Sequence, residues 1–205
     1  MLSLLDPFVL LLHTALVHLT DVLPASLAVV VLTALVRLAL HPLVRSAYRA
    51  TRDGRAGCLP LLVQIPVVSS VYRLFTASSL AGHANLLLNQ SLLGVPLGSH
   101  LVAAAGSGSL VFGALLVAVA LVAWGSYRFT RRTATAPTFP DGTAPEVAVA
   151  MQRTARLLPV LSFGTVLAVA VLPLAAGLYL LTSTAWALAE RMWLHRTYAS
   201  PVPAV

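Results

Sequence analysis

Four stretches of this chain run for eighteen residues or more with almost no charge, and that pattern constrains the fold before anything else does. A bilayer core of about 30 Å takes roughly 20 helical residues. Leu27–Val44, Leu59–Thr76 and about Val102–Tyr127 each read as one crossing, the third opened by Gly106, Gly108 and Gly113. Leu157–Leu194 would be about 57 Å long as one helix at 1.5 Å per residue, too long for one span. Leu172-Pro173 lies near its middle, and proline breaks a helix interior but suits a first turn. The run divides into 157–172 and 174–194, for five spans. The fourth is about 24 Å long, which implies local bilayer thinning or a re-entrant form.

Composition points the same way. Apolar residues make up 59% and charged residues 9% of the chain, against roughly 45–50% and about 25% in soluble domains. A soluble enzyme, a disordered tail and a disulfide scaffold are set aside, and lone Cys58 has no internal partner. The expected fold is all-α: a polytopic membrane protein of five transmembrane helices in one domain, 1–205. Ahead of the first span, residues 1–24 place Asp6, His13, Thr14, His18, Thr20 and Asp21 on one side of a helical wheel. Phe8, Leu11, Leu12, Ala15, Leu19 and Val22 fall on the other side, the mark of an extracytoplasmic helix lying in the interface plane. Leu10 and Val17 intrude on the polar side.

All thirteen basic residues are arginine. They sit at the ends of apolar runs rather than on one solvated face, so they write topology and do not read nucleic acid. Loop 45–58 carries Arg45, Arg49, Arg52 and Arg55. Loop 128–156 carries Arg128, Arg131, Arg132, Arg153 and Arg156, and the C-terminus carries Arg191 and Arg196. Segments 1–26 and 77–101 carry none. The expected orientation is N-terminus outside and C-terminus cytoplasmic, in the cell inner or plasma membrane. Arg73, near the outer end of its span, reads as a snorkelling residue.

Arg37 is the exception. It lies about ten residues into the first span, where arginine is costly and faces a partner or a watery cavity. No Asp or Glu lies inside a predicted span, and Glu190 falls at the cytoplasmic edge of the fifth. Water in a hollow is therefore the expected solution. Thr33, Arg37 and His41 are spaced by four, one stripe on the first helix. Tyr179, Ser183, Trp186 and Glu190 make a second stripe on the fifth. Arg37, His41, Gln64, Ser162, Thr165, Trp186 and Glu190 lie in the cytoplasmic half and Thr33 and Ser183 near the middle, predicting a polar hollow open to the cytoplasm and closed outside. The expected groove residues are Arg37, Thr33, His41, Gln64, Ser162, Thr165, Ser183 and Trp186. Taken singly, a Ser or Thr is more often a packing residue. No HExxH, cysteine pair, GxSxG or intramembrane acid pair is present, so no catalytic residue, metal or cofactor is expected.

Leu35-Val36-Arg37-Leu38-Ala39-Leu40-His41-Pro42-Leu43 resembles the first-span signature of the YidC/Oxa/Alb membrane protein insertases. Gly57-Cys58-Leu59-Pro60-Leu61-Leu62-Val63-Gln64-Ile65-Pro66 is similar to that family's second-span opening, and Val71-Tyr72-Arg73-Leu74-Phe75 continues it. Leu172-Pro173-Leu174-Ala175-Ala176-Gly177-Leu178-Tyr179 resembles the start of its last span. The resemblance covers about residues 1–195. It implies a helical bundle whose hydrophilic groove, open to the cytoplasm and laterally to lipid, receives polar parts of nascent membrane proteins at Arg37. It implies a non-enzymatic chaperone for protein insertion and transport, with a translocon and the ribosome as further partners. The chain departs from the pattern in its short connection between the first two spans, Val44 to Cys58, where the family usually has a long charged hairpin. It also has Leu180 where Trp is common, and no basic tail after Arg196. Two other classes remain: a small anion transporter or channel using Arg37, or a scaffold subunit packing through the small residues around Gly106–Gly113 and Ala168–Gly177.

Overall fold

In the computed structural model of the chain, residues 6–52, 79–80, 83–84, 90–101, 107–133 and 159–198 are described, with helical positions at 146–147, 149 and 152. The described residues are mostly helical: α1 (Asp6–Thr20), α2 (Ala25–Arg52), α3 (Ser107–Thr133), α4 (Gly164–Val171) and α5 (Leu174–Tyr198). A 3₁₀ turn over Val160–Phe163 leads into α4. Strands β1 (Ser79–Leu80) and β2 (His83–Ala84) form one short antiparallel hairpin, and β3 (Ser91–Leu92) and β4 (Val95–Pro96) form another. The expected second span, 59–76, lies outside the described residues.

Helix α3 shows what solvent the bundle is built for. Phe112, Leu115, Val119 and Ala123 recur at helical spacing and are buried, yet Leu110, Val117, Leu121 and Trp124 form an outer stripe and are exposed. A water-soluble helix would make that outer stripe polar. α2 does the same, burying Ala25, Ala28, Val29 and Leu32 while exposing Leu27, Leu35 and Leu38. Among the described residues, two helices are long and apolar enough to cross a bilayer, Ala25–Ala50 and Gly108–Thr133, each with mean hydropathy 2.2.

Helix ends differ from polarity ends. α2 continues through Pro42 to Arg52, so residues 45–52 of the expected loop are helical. Likewise α3 runs on to Thr133. The lipid boundary is set by charge, whereas a helix continues as long as its backbone hydrogen bonds do. At the other junction, Leu172 turns extended (φ −79°, ψ 158°) and Pro173 opens α5. The 3₁₀ turn and α4 together span about 20 Å.

The three long helices share one direction. Arg37 and then His41 of α2 meet Ser183 and then Glu190 of α5, both numbers rising together. Gly177 lies beside Leu115, and Gly125 beside Leu188, so α3 and α5 are also parallel. The segment before α5 runs the other way: Phe163 packs on Tyr127 at the far end of α3 (ring centroids 5.8 Å apart), while Val169 lies beside Gly177.

One end of the bundle is capped. The first N–H groups of a helix have no partner within it, and those of Leu174 and Ala175 donate to the Ser99 and Leu97 carbonyls (3.0 and 2.9 Å). Those carbonyls follow the β3–β4 hairpin, whose Val95 is buried along with Leu97. The hairpin turns at Leu93-Gly94, both with positive φ (52° and 83°), as a two-residue turn of matching twist demands. α1 joins the same end, burying Leu12 and Leu16 with Ala15 and Leu19 against the core. Of the apolar side read from the sequence, Leu12, Ala15 and Leu19 pack on the core with Leu16, while Leu11 and Val22 are exposed.

Candidate functional site

Three polar contacts join α2 to α5 in order along their shared direction. In the first, the half-buried Arg37 donates through Nε to Ser183 Oγ at 3.1 Å, and its Nη2 points at the same oxygen. Ser183 is buried. Among the described residues no carboxylate pairs with this guanidinium. A neutral hydroxyl takes up only part of what five N–H donors offer, so the cation keeps capacity for another acceptor.

In the second, His41 Nδ1 donates to Glu190 Oε1. A carboxylate only accepts, which fixes the imidazole proton on Nδ1. Glu190 is 7% exposed. Its place near the cytoplasmic end of α5 therefore goes with an enclosed side chain. Glu190 shares a stripe with Tyr179, Ser183 and Trp186, of which Ser183 is buried with it while Tyr179 and Trp186 are partly exposed. Next to the pair, His41, Trp186, Ala189, Glu190 and Trp193 line a cavity of about 240 Å³. His41 and Trp193 stack obliquely, ring centroids 5.4 Å apart. Replacing His41 by alanine leaves the carboxylate without its donor, at a cost of about 1–3 kcal/mol. The double change His41→Leu with Glu190→Leu is expected to regain most of that. Melting of the four chains in detergent micelles gives the coupling directly.

The remaining expected groove residues are not drawn into this ladder. Thr33 is buried but donates to the Val29 carbonyl of its own helix at 2.7 Å. Thr165 donates to the Ser162 carbonyl at 2.8 Å, so both belong to the 3₁₀–α4 junction. Trp186 reaches the cavity. Gln64 lies outside the described residues. Among the described residues no three His, Cys, Asp or Glu side chains gather as a metal site would need.

The third contact closes the far end. Arg45 Nε and Arg49 Nη2 donate to the Tyr198 hydroxyl at 2.5 and 2.7 Å, and both guanidinium groups lie over its ring. Across the bundle Arg128 covers Trp124, and Arg131 covers Tyr127. Such cation–aromatic pairs anchor helix ends at the headgroup level. Every one of these arginines is at the end opposite the hairpin cap.

Partial burial raises the Tyr198 pKa, but the hydrogen bonds and charges of Arg45 and Arg49 outweigh it and bring the phenol below its usual value. The folded pKa is the lowered one. The added stability is therefore complete above the unfolded value of about 10 and disappears as pH falls through the folded value. Absorbance titration at 295 nm checks this. The difference between the native chain and Tyr198→Phe isolates one phenol, and its midpoint should move up in Arg45→Gln/Arg49→Gln.

With this geometry in place, comparison with known proteins gives one result: a family model described as "60Kd inner membrane protein" matches residues 53–201. No curated protein and no solved structure matches.

Proposed function

Because the chain belongs to the 60 kDa inner membrane protein family, the YidC/Oxa/Alb insertases, we propose that it moves nascent membrane segments into the bilayer through a groove between α2 and α5. The insertase role and the membrane setting come with the family. The groove is this chain's own, and one observation carries it: Arg37 sits midway along an apolar helix with a hydroxyl, not an acid, as its partner.

An arginine at mid-membrane costs about 2.5–3.5 kcal/mol on insertion scales. A structural ion pair would quench that charge. A hydrated groove instead leaves it usable. A carboxylate about 4 Å from the guanidinium gains roughly 4 kcal/mol at an effective dielectric constant of 20, which offsets part of the cost of taking a polar segment out of water. The client's apolar helix supplies the rest by leaving water for lipid, so the step needs no bond chemistry, nucleotide or cofactor.

The shared direction of α2, α3 and α5 supports five spans. Two successive crossings cannot run the same way unless the chain returns between them. The return before α5 is the antiparallel 3₁₀–α4 segment, whose shortness goes with a thinned bilayer. The expected span that would supply the return before α3, 59–76, lies outside the described residues. Apart from Arg37, the arginines of the described helices collect at one end and the arginine-free hairpin lies at the other, supporting an N-terminus outside and a cytoplasmic C-terminus. The groove then opens towards the cytoplasm and is stopped outside by the cap on Leu174 and Ala175. The translocon and the ribosome are proposed as further partners.

The test is depletion of the host's insertase followed by expression of this chain. Rescue of insertion, with crosslinks from nascent membrane proteins to a photoreactive residue at Gln64, is expected. If neither occurs, the reading fails.

A further inference from the structure

The cavity beside the His41–Glu190 pair has a composition that the Arg37 site does not explain. At about 240 Å³ it is below the roughly 300–1,000 Å³ of a site for a drug-sized molecule, but it holds one side chain. Its walls include two indoles, Trp186 and Trp193, two helical turns apart with Glu190 between them. The Glu190 carboxylate is enclosed and commits Oε1 to His41. Its Oε2 has no side-chain partner among the described residues. Oε2 is thus left as an acceptor beside the indoles. Indole faces and a desolvated carboxylate together select a cation with an apolar stem.

Position narrows the ligand further. Glu190 lies seven residues beyond Ser183, about 10 Å along α5 towards the arginine-bearing end. The groove therefore carries a positive site deep and a negative site behind it. A client segment of complementary pattern has an acid leading and a base trailing.

Resting on the insertase reading above, we propose that the Trp186–Glu190–Trp193 cavity seats the lysine or arginine side chain that flanks a client's apolar segment on its cytoplasmic side. Arg37 repels that base and Glu190 holds it, so the seat keeps the basic flank from following the segment inward. This gives the positive-inside bias a physical reader within the insertase.

The experiment uses the full chain in nanodiscs of phosphatidylcholine and phosphatidylglycerol. The change Trp124→Phe leaves Trp186 and Trp193 as the only indoles. Butylguanidinium and butylammonium are expected to change the emission saturably, while neutral butyramide does not. Glu190→Gln, which retains an acceptor for His41, should weaken the response at least tenfold, and Trp193→Leu at least threefold. An equal response to butyramide, or one unchanged by Glu190→Gln, overturns the proposal. A second arm places a photoreactive residue at the exposed Ala189. Nascent clients with a Lys-Lys flank should crosslink at least threefold more than those with Gln-Gln. If phosphatidylethanolamine in the nanodisc abolishes the butylammonium response, the headgroup amine occupies the seat and the client assignment falls. Binding of small cations is read without insertion. A chain that binds them but fails to rescue insertion keeps the cation seat and loses the insertase reading and with it the client; a chain that rescues insertion without binding them refutes the seat alone.

Discussion

Arg37→Ala is expected to cut insertion of a client bearing an acidic segment by tenfold or more, and to leave a wholly apolar client nearly unaffected. The asymmetry follows from what the guanidinium does. An apolar client is driven by leaving water for lipid, and a charge beside its path adds little. An acidic segment must shed water midway, and the cation lowers that cost. Tenfold corresponds to about 1.4 kcal/mol, well within the roughly 4 kcal/mol that an ion pair at about 4 Å offers at a dielectric constant of 20. Arg37→Lys should retain part of the activity, because charge survives but the five-donor fork does not. Neutralising the client, Asp to Asn, should reduce the effect of Arg37→Ala by the same factor.

Stability moves the other way and separates function from folding. Arg37 binds Ser183, not an acid, so its removal strands no buried charge. Ser183 is left with a hydroxyl that turns to its own helix carbonyls, as Thr182 and Thr184 already do. The Arg37→Ala chain should melt at or above the native temperature in detergent. Purified chain in liposomes, with acidic and neutralised versions of one client, gives both readings. Equal insertion of the acidic client by both chains removes Arg37 from the mechanism.

How much of this was legible in the residues depends on the kind of information each feature needs. Arg37 announces itself by position, since lipid makes a mid-span arginine expensive wherever the helix packs. The stripes Thr33–Arg37–His41 and Tyr179–Ser183–Trp186–Glu190 follow from helical periodicity. Which stripe faces which does not: His41 and Glu190 are joined across a separation of 149 residues, and only packing decides that. The burial of Glu190 needs the same packing information, because its distance from a span end gives membrane depth and not which face is covered. Membrane depth groups Ser162 and Thr165 with the groove, but the bond that joins them, Thr165 Oγ1 to the Ser162 carbonyl, is local and only packing shows it. Boundaries such as Arg52 and Thr133 were illegible because polarity marks where lipid ends and says nothing about where a helix stops.

Gly177→Leu is expected to destabilise the bundle by about 3 kcal/mol, the upper range for overpacking a close contact. Lipid tails are as apolar as leucine, so helices in a bilayer gain little by hiding apolar surface from it. They associate through close approach, which small residues permit. Gly177 stands at the tightest approach given by any described glycine. A Cβ placed there would lie 2.7 Å from Leu115 Cδ2 on α3 and 3.3 Å from Val169 Cγ1 on α4. Leu115 Cδ2 is the end of a flexible side chain and can withdraw by a few tenths of an ångström. Gly177→Ala should therefore be nearly neutral, its packing cost offset by a helix-propensity gain of about 1 kcal/mol. A leucine has no such escape, because α3 and α4 stand on both sides. It must push α5 outward, and the first turn of α5 is where Leu174 and Ala175 bind the Ser99 and Leu97 carbonyls. Displacement strains those bonds too and loosens the outer cap. Leu115→Ala in the Gly177→Leu chain opens room on one side and should regain a measurable part of the loss, a coupling that a melting cycle in detergent reads directly. If Gly177→Leu melts with the native chain, the close packing of α5 between α3 and α4 is not what holds the cap end together.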